Sequence, residues 1–327
     1  MLIPPKYSLT PKISQLLSSI EASREVIDSI AIPPEVETNI RRQSILKSSL
    51  FSARIEGCNL TLDEFDRTPS SSQKKVEVFN ILRAFNLIYA KEKKDLSLKD
   101  ILSFHQLVME GLSEQAGKFR TETSAIFNPA GIAIYLPPPP KKIPSLLKRL
   151  LKLANSHKEP FVSLKACLVH YSFEKVHPFL DGNGRVGRLL MQKVLAQGGY
   201  GMKGLLAIEE YFDNHRHLYY RALGEPEREA TGYLEFMLEA IEEVAKKAKE
   251  LVLQKRKTDF LDFLLPRRAE IYQIIKDHQL INFDTLRRRF LSINERTLRY
   301  DLKKLQEAGL IRKRGTTKGA YYETKSD

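Results

Sequence analysis

The sequence predicts a mainly α-helical protein with one β-hairpin and a small separate domain at its C-terminal end. Apolar residues recur at spacings of three and four along most of the chain, as in SQLLSSIEASREVIDSI (14–30), which is the period of a buried helix face. Strand signals are scarce, and the clearest is the pair of β-prone runs in TSAIFNPAGIAIYL (123–136). A charged helical segment (242–265) then separates a distinct C-terminal region from the rest of the chain.

The helical period and these boundaries divide the chain into regions. Pro266 stops the charged helix, because proline cannot continue a helix. Another helix runs over about 41–57 and ends at Glu56-Gly57, where a glycine is a common helix cap. In chain order, we predict an N-terminal helical region (1–100), a helical core that carries the hairpin (101–241), a linker helix (242–265) and a C-terminal domain (266–327).

Composition and charge are those of a soluble globular protein. Of 327 residues, 42% are hydrophobic and 28% charged, and the net charge of +13 favours anionic partners such as nucleotides and nucleic acid. Cys58 and Cys167 lie far apart and outside any C-x-x-C pair, so neither a disulfide framework nor a zinc site is indicated. The N-terminus has no signal-peptide core, and no apolar run approaches the roughly 18 residues of a membrane span. We therefore expect a cytoplasmic protein without a membrane partner.

The stretch HPFLDGNGRVGR (177–188) contains GNGRVG, which fits the G-x-G-x-x-G pattern of phosphate-binding loops. It follows a predicted helix (161–176) rather than a strand, and Glu209 and Glu210 come too late to be the acidic residue of a dinucleotide-binding fold. The Walker pattern is absent as well, because the sequence has no G-K-[ST] here. Neither common nucleotide-binding fold fits this stretch.

The residues of this stretch nevertheless offer phosphate chemistry at fixed spacing. Pro178 pushes His177 out of helical geometry, so the upstream helix ends there and leaves an imidazole that can act as a base. The turn formed by Gly182, Asn183 and Gly184 leads into a helix N-terminus, and the two together make an anion cradle.

Two arginines and an aspartate extend the cradle. Arg185 and Arg188 lie three apart on one helix face, where their guanidinium groups can hold successive phosphates, and Asp181 is placed to reach a Mg²⁺ ion on those phosphates. Each residue alone has an ordinary alternative as a structural histidine, a turn former or part of a solvated helix face. Their occurrence together within a dozen positions indicates a site.

This stretch resembles the signature HxFx[DE]GNGRxxR of the Fic family, with every specified position matched. The resemblance implies a compact all-α domain with a β-hairpin flap, and transfer of AMP from ATP to a Tyr, Ser or Thr hydroxyl of a target protein, which is another protein or the chain itself. It also implies roles for individual residues: His177 as general base, Asp181 as Mg²⁺ ligand, Gly182, Asn183 and Gly184 as anion hole, Arg185 as phosphate contact and Arg188 as γ-phosphate contact.

The resemblance extends to two further segments. The hairpin at 123–136 takes the place of the family's flap, which pairs with an extended segment of the target; the alternative is a surface hairpin without a partner. YFDNHRHLYYRAL (211–223) resembles the helix beside the nucleoside, which would place Tyr219 or Tyr220 near adenine; the alternative is that both tyrosines are core residues.

The segment SARIEG (52–57) resembles the family's inhibitory motif [ST]xxxE[GN], with Ser52, Glu56 and Gly57 matched. The resemblance implies that Glu56 pairs with Arg188 and so takes the guanidinium group that the ATP γ-phosphate needs. Removal of AMP, with Glu56 aligning a water, is a variant that stays open, as is transfer of another phosphate-containing group. The sequence also leaves open whether the chain forms a homodimer.

The C-terminal domain has a different character. Residues 266–327 hold 15 Lys and Arg against 8 Asp and Glu, so they carry +7 of the net charge of +13. Three short helical segments followed by a β-ribbon resemble a winged helix-turn-helix. Leu298, Leu302 and Leu305 form the buried stripe of the third helix. Lys318 falls on the wing of this motif. The opposite face of the third helix offers four residues to a DNA major groove: Arg296, Arg299, Tyr300 and Lys303.

Two classes of function compete at this point. The first is an ATP- and Mg²⁺-dependent protein AMP-transferase with a C-terminal module, and the second is a DNA-binding regulator whose Fic domain senses nucleotide. The complete motif favours the first, because a sensor does not need His177 beside the phosphate site. For the C-terminal module, protein docking or dimerisation is the alternative to DNA binding, and phosphate contacts alone account for the charge without sequence reading.

Overall fold

The computed structural model of the chain describes residues 1–90, 95–127, 133–257, 264–291, 293–315 and 320–325. The chain divides into two compact units, Met1–Leu253 and Gln254–Asp327. In the described ranges, the helices that begin in the first unit are α1 (Pro11–Ser29), α2 (Pro34–Ile55), α3 (Leu62–Arg67), α4 (Gln73–Ala90), α5 (Leu98–Val108), α6 (Ile143–Ala154), α7 (Val162–Val176), α8 (Asn183–Gln197), α9 (Ile208–Asn214), α10 (Arg216–Leu223) and α11 (Thr231–Lys257).

Helices α7 and α8 lie against each other at the centre of the first unit. Nearly all of α7 is buried, including Tyr171 and Phe173, so this helix is enclosed on nearly every side, as expected for a central element. Helix α6 packs on α7, whereas α4 and α5 pack on α8, and α2 packs on α4 and α9. The loop between α7 and α8 (177–182) therefore lies among helices contributed by distant parts of the chain.

The structure begins α2 earlier than the predicted start near position 41. Pro34 occupies the first helical turn, where its fixed φ suits a helix start, and Val36 and Ile40 are buried. The predicted end is matched, because α2 stops at Ile55 and Gly57 has a φ of 103°. The segment 52–57 thus contains the last turn of a long, well-packed helix and the glycine that follows it.

The predicted linker helix is part of a longer helix. Helix α11 begins at Thr231, because Tyr233, Met237 and Ile241 continue its buried face into the core of the first unit. The N-terminal part of the helix is therefore part of the core of the first unit. Residues 258–263 of the predicted linker lie outside the described residues. The segment 211–223 is likewise two helices, α9 and α10, with a break at His215.

The predicted hairpin is present as two short antiparallel strands, β1 (Ile126–Phe127) and β2 (Ala133–Tyr135). Ile126 lies opposite Tyr135, and the register shifts at Phe127, which lies opposite Ala133. The predicted turn at 128–131 falls outside the described residues.

The second unit combines three helices with a small antiparallel sheet in its described residues: α12 (Pro266–His278), β3 (Ile281–Asn282), α13 (Phe283–Arg287), α14 (Glu295–Glu307), β4 (Ile311–Arg314) and β5 (Tyr321–Thr324). The strand order is β3-β5-β4. Strand β3 was not expected from the sequence, because two residues are too short to show a period. Leu298, Leu302 and Leu305 of α14 are buried in the core of this unit, as the stripe predicts.

In neither unit do the described residues include a helix long and apolar enough to cross a membrane.

Candidate active site

His177 lies at the end of α7 in the left-handed conformation, with φ 46° and ψ 60°. Pro178 prevents the helix from continuing, while the His177 N–H still donates to the carbonyl of Phe173 at 2.9 Å. The ring Nδ1 lies 3.3 Å from the carbonyl oxygen of Glu174, which can only accept, so Nδ1 carries the proton and Nε2 keeps its lone pair. Burial lowers the pKa of His177 to about 4, so the ring is neutral at pH 7.

The loop after His177 is closed by the side chain of Asn183. Its Oδ1 accepts from the N–H of Phe179 and its Nδ2 donates to the Phe179 carbonyl, each at 2.9 Å. The sequence places Asn183 in the anion hole, but the structure uses its side chain to brace the loop and leaves only its backbone N–H for an anion. Phe179 itself is fully buried, as an anchor should be.

His105 supports the same loop, although nothing in the sequence singled it out. Its ring stacks on Phe179 with centroids 3.6 Å apart and an interplanar angle of 2°. The N–H of Gly117 donates to Nδ1 at 2.9 Å, and Nε2–H donates to the Asp181 carbonyl at 3.0 Å. Burial lowers the pKa of His105 to about 4, so this ring is also neutral and holds the tautomer that both hydrogen bonds need.

The glycines of the loop are required by close approach as well as by backbone conformation. Gly182 has a φ of 78°, and a Cβ there would lie 2.8 Å from the sulfur of Met109. At Gly184, in the first turn of α8, a Cβ would collide with the carboxylate of Glu56. The Glu56 carboxylate therefore occupies space beside a helix N-terminus, which is where an anion is stabilised.

Arg188 is fully buried and is bound by the end of α2. Its Nε donates to Ser52 Oγ at 3.0 Å, and its Nη2 donates to the Ser52 carbonyl and to Glu56 Oε1, both at 2.9 Å. Burial opposes the charge, but the Glu56 carboxylate outweighs it and holds the pKa of Arg188 above its usual value. The predicted pair of Glu56 and Arg188 is thus present in the geometry, and Ser52 contributes to it with both oxygens.

Arg185 points to different partners from those of Arg188. Its Nη1 donates to Glu77 Oε1 at 2.7 Å and its Nη2 to Asp181 Oδ1 at 3.0 Å, while its buried Nε has no hydrogen-bond partner. Glu77 was not anticipated from the sequence, since it comes from α4. The Asp181 side chain is 66% exposed, so only one of its oxygens is held and the other faces outward.

Tyr219 and Tyr220 differ in their surroundings. Tyr219 is buried, and its hydroxyl lies 3.0 Å from Nε2 of His170, whose Nδ1 lies 2.8 Å from the hydroxyl of Tyr233. Tyr219 is therefore part of the core, which is the alternative that the helical spacing left open. Tyr220 is 47% exposed, and its hydroxyl donates to the carbonyl of Ile55 at 3.2 Å.

Arg120 joins the loop after His177 to the hairpin, and no pattern in the sequence singled it out. Its N–H donates to the Pro178 carbonyl at 3.0 Å, its Nε to the His177 carbonyl at 2.8 Å and its Nη1 to the Glu122 carbonyl at 2.9 Å. Its Nη2 donates to the carbonyl of Pro138, on the far side of the hairpin. Ile134 on β2 is 62% exposed and leaves an apolar side chain at the outer surface of the hairpin.

The predicted DNA-contacting residues share one exposed face of α14: Arg296, Arg299, Tyr300 and Lys303. Arg299 also pairs with Glu295 at 2.7 Å and covers the ring of Phe283, and Lys303 lies 3.8 Å from Glu307. The opposite face is fixed by Asp301, a buried carboxylate that binds Arg267 at 2.5 Å and Arg268 at 2.9 Å at the start of α12. Lys318 lies outside the described residues.

The residues present fit a magnesium ion held jointly with phosphates. Across the described ranges, no group of three or more His, Cys, Asp or Glu side chains is arranged to hold a metal by itself. Mg²⁺ is commonly bound by one or two carboxylates together with substrate phosphates, and Asp181 offers one outward carboxylate oxygen beside the glycine turn.

The fold and the site define a helical protein that presents a neutral imidazole and two buried arginines around a glycine-rich anion site. Residues 95–195 match the sequence model of the Fic/DOC family. The chain therefore carries a Fic/DOC family domain.

Relatives and solved structures agree with this assignment. A probable protein adenylyltransferase of Aquifex aeolicus is 28% identical over 160 residues, which are 47% of this chain and 48% of that protein. The protein adenylyltransferase Fic of Drosophila melanogaster is 27% identical over 197 residues, 56% of this chain and 39% of that protein. The chain thus spans half or less of the length of these relatives.

Two solved structures share the fold. A Fic family protein from Desulfovibrio desulfuricans superimposes with a TM-score of 0.68 at 24% identity, over 99% of this chain and 98% of that one. A fragment of Fic-1 from C. elegans superimposes with a TM-score of 0.57 at 20% identity, over 74% and 72%.

Proposed function

We propose that the first unit is a protein adenylyltransferase that transfers AMP from ATP to a Tyr, Ser or Thr hydroxyl of a target protein. The observation that carries this proposal is the unprotonated Nε2 of His177, which belongs to a ring fixed through Nδ1 and held at the glycine turn. The protein adenylyltransferases among the relatives support the same reaction, and their activity is consistent with ATP as the donor of AMP.

The mechanism follows from these groups. His177 Nε2 takes the proton from the target hydroxyl, and the oxygen attacks the α-phosphorus of ATP. A new O–P bond forms while the bond to the leaving diphosphate breaks, so the AMP is transferred in one displacement. Backbone N–H groups at Asn183 and Gly184, at the positive end of α8, stabilise the charge on the α-phosphate, and Arg188 holds the terminal phosphate.

Magnesium enters this proposal as the partner of Asp181. When bound, Mg²⁺ neutralises charge on the phosphates that the leaving diphosphate carries away. Arg185 holds one Asp181 oxygen and is itself held by Glu77, so the carboxylate is oriented while its second oxygen stays available.

Glu56 makes the resting chain inhibited in this proposal. Its carboxylate occupies the Gly184 side of the anion site and the Nη2 of Arg188, so a γ-phosphate meets a negative charge where it needs a positive one. A charge-assisted hydrogen bond contributes about 1.5–3 kcal/mol, which corresponds to about ten- to a hundredfold in rate.

The target enters along the hairpin in this proposal. A strand of the target pairs with the flap, because β2 is an edge strand. Its sheet has two strands, and among the described residues no further strand pairs with the free edge of β2. Lys175 lies over the ring of Tyr135, and the Tyr135 hydroxyl donates to the Lys175 carbonyl at 2.9 Å, so the flap is tied to α7 beside His177. The target is another protein or a second copy of the chain.

Labelling with α-labelled ATP and Mg²⁺ tests this function. We expect weak labelling of protein by the wild type, an increase of about ten- to a hundredfold with Glu56→Gly, and loss of labelling in Glu56→Gly/His177→Ala. The matched control is His157→Ala, since His157 is an exposed histidine of the same unit. If Glu56→Gly is no faster than the wild type, the inhibitory role of Glu56 is rejected.

The same experiment separates the alternatives. Absence of protein labelling even with Glu56→Gly would support a nucleotide sensor instead of a transferase. Protein labelled by Glu56→Gly and then mixed with the wild type would lose its label if removal of AMP, with Glu56 aligning a water, were the principal reaction.

For the second unit we propose DNA binding by a winged helix-turn-helix. Three helices, a three-stranded sheet and an exposed face of α14 that carries Arg296, Arg299 and Lys303 support it. Phosphate contacts are sufficient to explain the positive charge, so this proposal concerns affinity and not the reading of a particular sequence.

A further inference from the structure

The C-terminal end of α2 carries more hydrogen bonds than its own backbone supplies. The last carbonyls of any helix need partners from outside the helix. Here the N–H of Gly57 donates to the Arg54 carbonyl at 3.0 Å and that of Cys58 to the Ala53 carbonyl at 3.1 Å, with Gly57 in the left-handed region. This backbone cap accounts for Ala53 and Arg54 and leaves the carbonyls of Ser52 and Ile55.

Side chains from two other helices donate to the carbonyls of Ser52 and Ile55 and add a second donor to the carbonyl of Arg54. Arg188 on α8 donates to the Ser52 carbonyl, as part of the pair with Glu56. On α10, the Tyr220 hydroxyl donates to the Ile55 carbonyl at 3.2 Å, and Arg216 Nη2 donates to the Arg54 carbonyl at 2.8 Å. Helix α10 therefore holds the two residues that directly precede Glu56.

A buried carboxylate, that of Asp213, holds the contacts between α10 and the last turn of α2 in place. The side chain of Asp213 on α9 is only 4% exposed, and it pairs with Arg216 and, at 3.2 Å, with Nη2 of Arg54. Asp213 thus links α9, α10 and the last turn of α2 in one charged cluster. Because the cluster binds both the side chain and the carbonyl of Arg54, it restricts rotation of the turn that carries Glu56.

We propose that Asp213, Arg216 and Tyr220 form a clasp that positions Glu56 on Arg188, and that opening of this clasp is the step that frees the phosphate site. This proposal rests on the transfer activity and the autoinhibition proposed above. The side chains of Arg216 (41% exposed) and Tyr220 (residue 47% exposed) reach solvent, so the clasp can open without unpacking the core. The three residues are positioning residues, since none of them needs to touch the reacting atoms.

The clasp predicts an effect that depends on Glu56. In the full chain, Tyr220→Phe and Arg216→Ala each remove one hydrogen bond to α2, and we expect each to raise protein labelling by α-labelled ATP about three- to tenfold. In the Glu56→Gly background neither should raise labelling further, because no inhibitory carboxylate is left to position. Arg221→Ala, an exposed arginine of the same helix, is the matched control and should leave labelling unchanged.

Two outcomes would overturn the clasp. One is no increase from either substitution in the chain that retains Glu56. The other is an increase of the same size in the Glu56→Gly background, which would show that the effect does not depend on Glu56. If instead Tyr220→Phe raises the KM for ATP in the Glu56→Gly background and gives no increase in the parent chain, Tyr220 is a nucleoside contact and not part of a clasp.

Hydrogen exchange tests the clasp without any activity. The amides of Gly57 and Cys58 form the backbone cap of α2, so Tyr220→Phe should speed their exchange by the same three- to tenfold factor while amides of α7 keep their rates. Unchanged exchange at these two amides would reject the proposal even if Arg216→Ala failed to fold. If Glu56→Gly is no faster than the wild type, the proposed autoinhibition fails, and if it labels no protein at all, the proposed transfer activity fails; in both cases the exchange rates still decide whether the clasp exists.

Discussion

At the scale of single residues, the site depends on buried groups kept in their neutral forms. Burial lowers the pKa of His105 and His177 to about 4 and that of His170 to about 3, and it raises the pKa of Glu174 to about 8 and that of Glu209 to about 7. A neutral His177 suits the base of the proposed reaction. Glu174 and Glu209 both interact electrostatically with Arg188, and in the proposed function a further buried negative charge there would compete with phosphate for this arginine.

These five groups make stability depend on pH in two opposite ways. Below the usual histidine pKa of 6.5 the unfolded chain binds protons on histidines that stay neutral in the folded chain, so stability falls as pH decreases from 6.5 towards 4. Above the usual carboxyl pKa of 4.5 the unfolded chain releases protons that folded Glu174 and Glu209 retain, so their contribution falls as pH rises. Burial also raises the pKa of Glu77, so three carboxyls oppose the three histidines above pH 4.5, and beyond pH 6.5 these histidines no longer contribute to the change.

We therefore expect the stability of the first unit to decrease from pH 6.5 towards pH 8. Glu174 titrates over most of that interval, whereas Glu209 is ionised from about pH 7. Glu174→Gln should remove more than half of the decrease, as measured by the urea midpoint at pH 6.5 and pH 8. Glu250→Gln, at an exposed position of α11, is the control and should keep the whole decrease. An unchanged slope in Glu174→Gln would contradict this assignment.

At the scale of elements, local patterns were predictable and long-range contacts were not. The turn at 182–184, the end of α7 at His177 and the glycine end of α2 follow from residues within one or two turns of each other, so spacing in the sequence reveals them. Arg120 meets His177 across 57 positions, and Arg185 meets Glu77 across 108. No period or motif links such pairs, because the fold brings them together only after distant helices pack.

The same limit applies to helix ends. The predicted start of α2 was too late, because polar residues at its beginning hide a buried face that only the packed core reveals. That of α11 was too late because the change to a charged composition near Glu242 falls inside the helix and not at its start. Asn183 shows the limit within a motif, since the sequence indicates a backbone N–H for an anion but gives no sign that the side chain closes the loop.

Arg120 provides the test at this scale. Its side chain holds the carbonyl of His177 and both flanks of the hairpin, so its removal leaves these acceptors without their donor and loosens His177 and the flap together. In the Glu56→Gly background, Arg120→Ala should lower kcat about ten- to a hundredfold and raise the KM for the target protein. Arg120→Lys should fall between, because one ammonium group cannot reach all these carbonyls.

The control for this prediction is Arg83→Ala, which removes an exposed arginine paired with Glu110. Full activity in Arg120→Ala would show that the flap and the catalytic loop are held by other contacts.

At the scale of the whole molecule, the chain couples a Fic/DOC domain to a basic C-terminal unit. The mainly helical fold and the hairpin were predictable from the sequence, since period and turn signals are strong over whole segments. Strand β3 and the buried Asp301 of the second unit were not, because a two-residue strand has no period and a charged residue on a charged helix reads as solvated. Cytoplasmic location and dimerisation stay predictions.

DNA binding by the second unit can be measured in the full chain. Affinity for duplex DNA should fall with salt, and Arg296→Ala should reduce the slope of log affinity against log salt by about 1, uniformly across DNA sequences. Glu270→Ala in α12 is a charge-changing control on an exposed position and should leave the slope unchanged. No binding at low salt would reject this role and favour protein docking.

Gly184 lies beside both the Glu56–Arg188 contact and the proposed phosphate site. The lack of a side chain at this position leaves room for the Glu56 carboxylate, and in the proposed function the ATP phosphates bind beside the same glycine. A side chain at position 184 would meet the Glu56 carboxylate, so we expect a substitution there to disturb inhibition and nucleotide binding together. Variants that arise with permanent activity should therefore carry their changes in the last turn of α2 or among the residues that grip it, and leave this glycine intact.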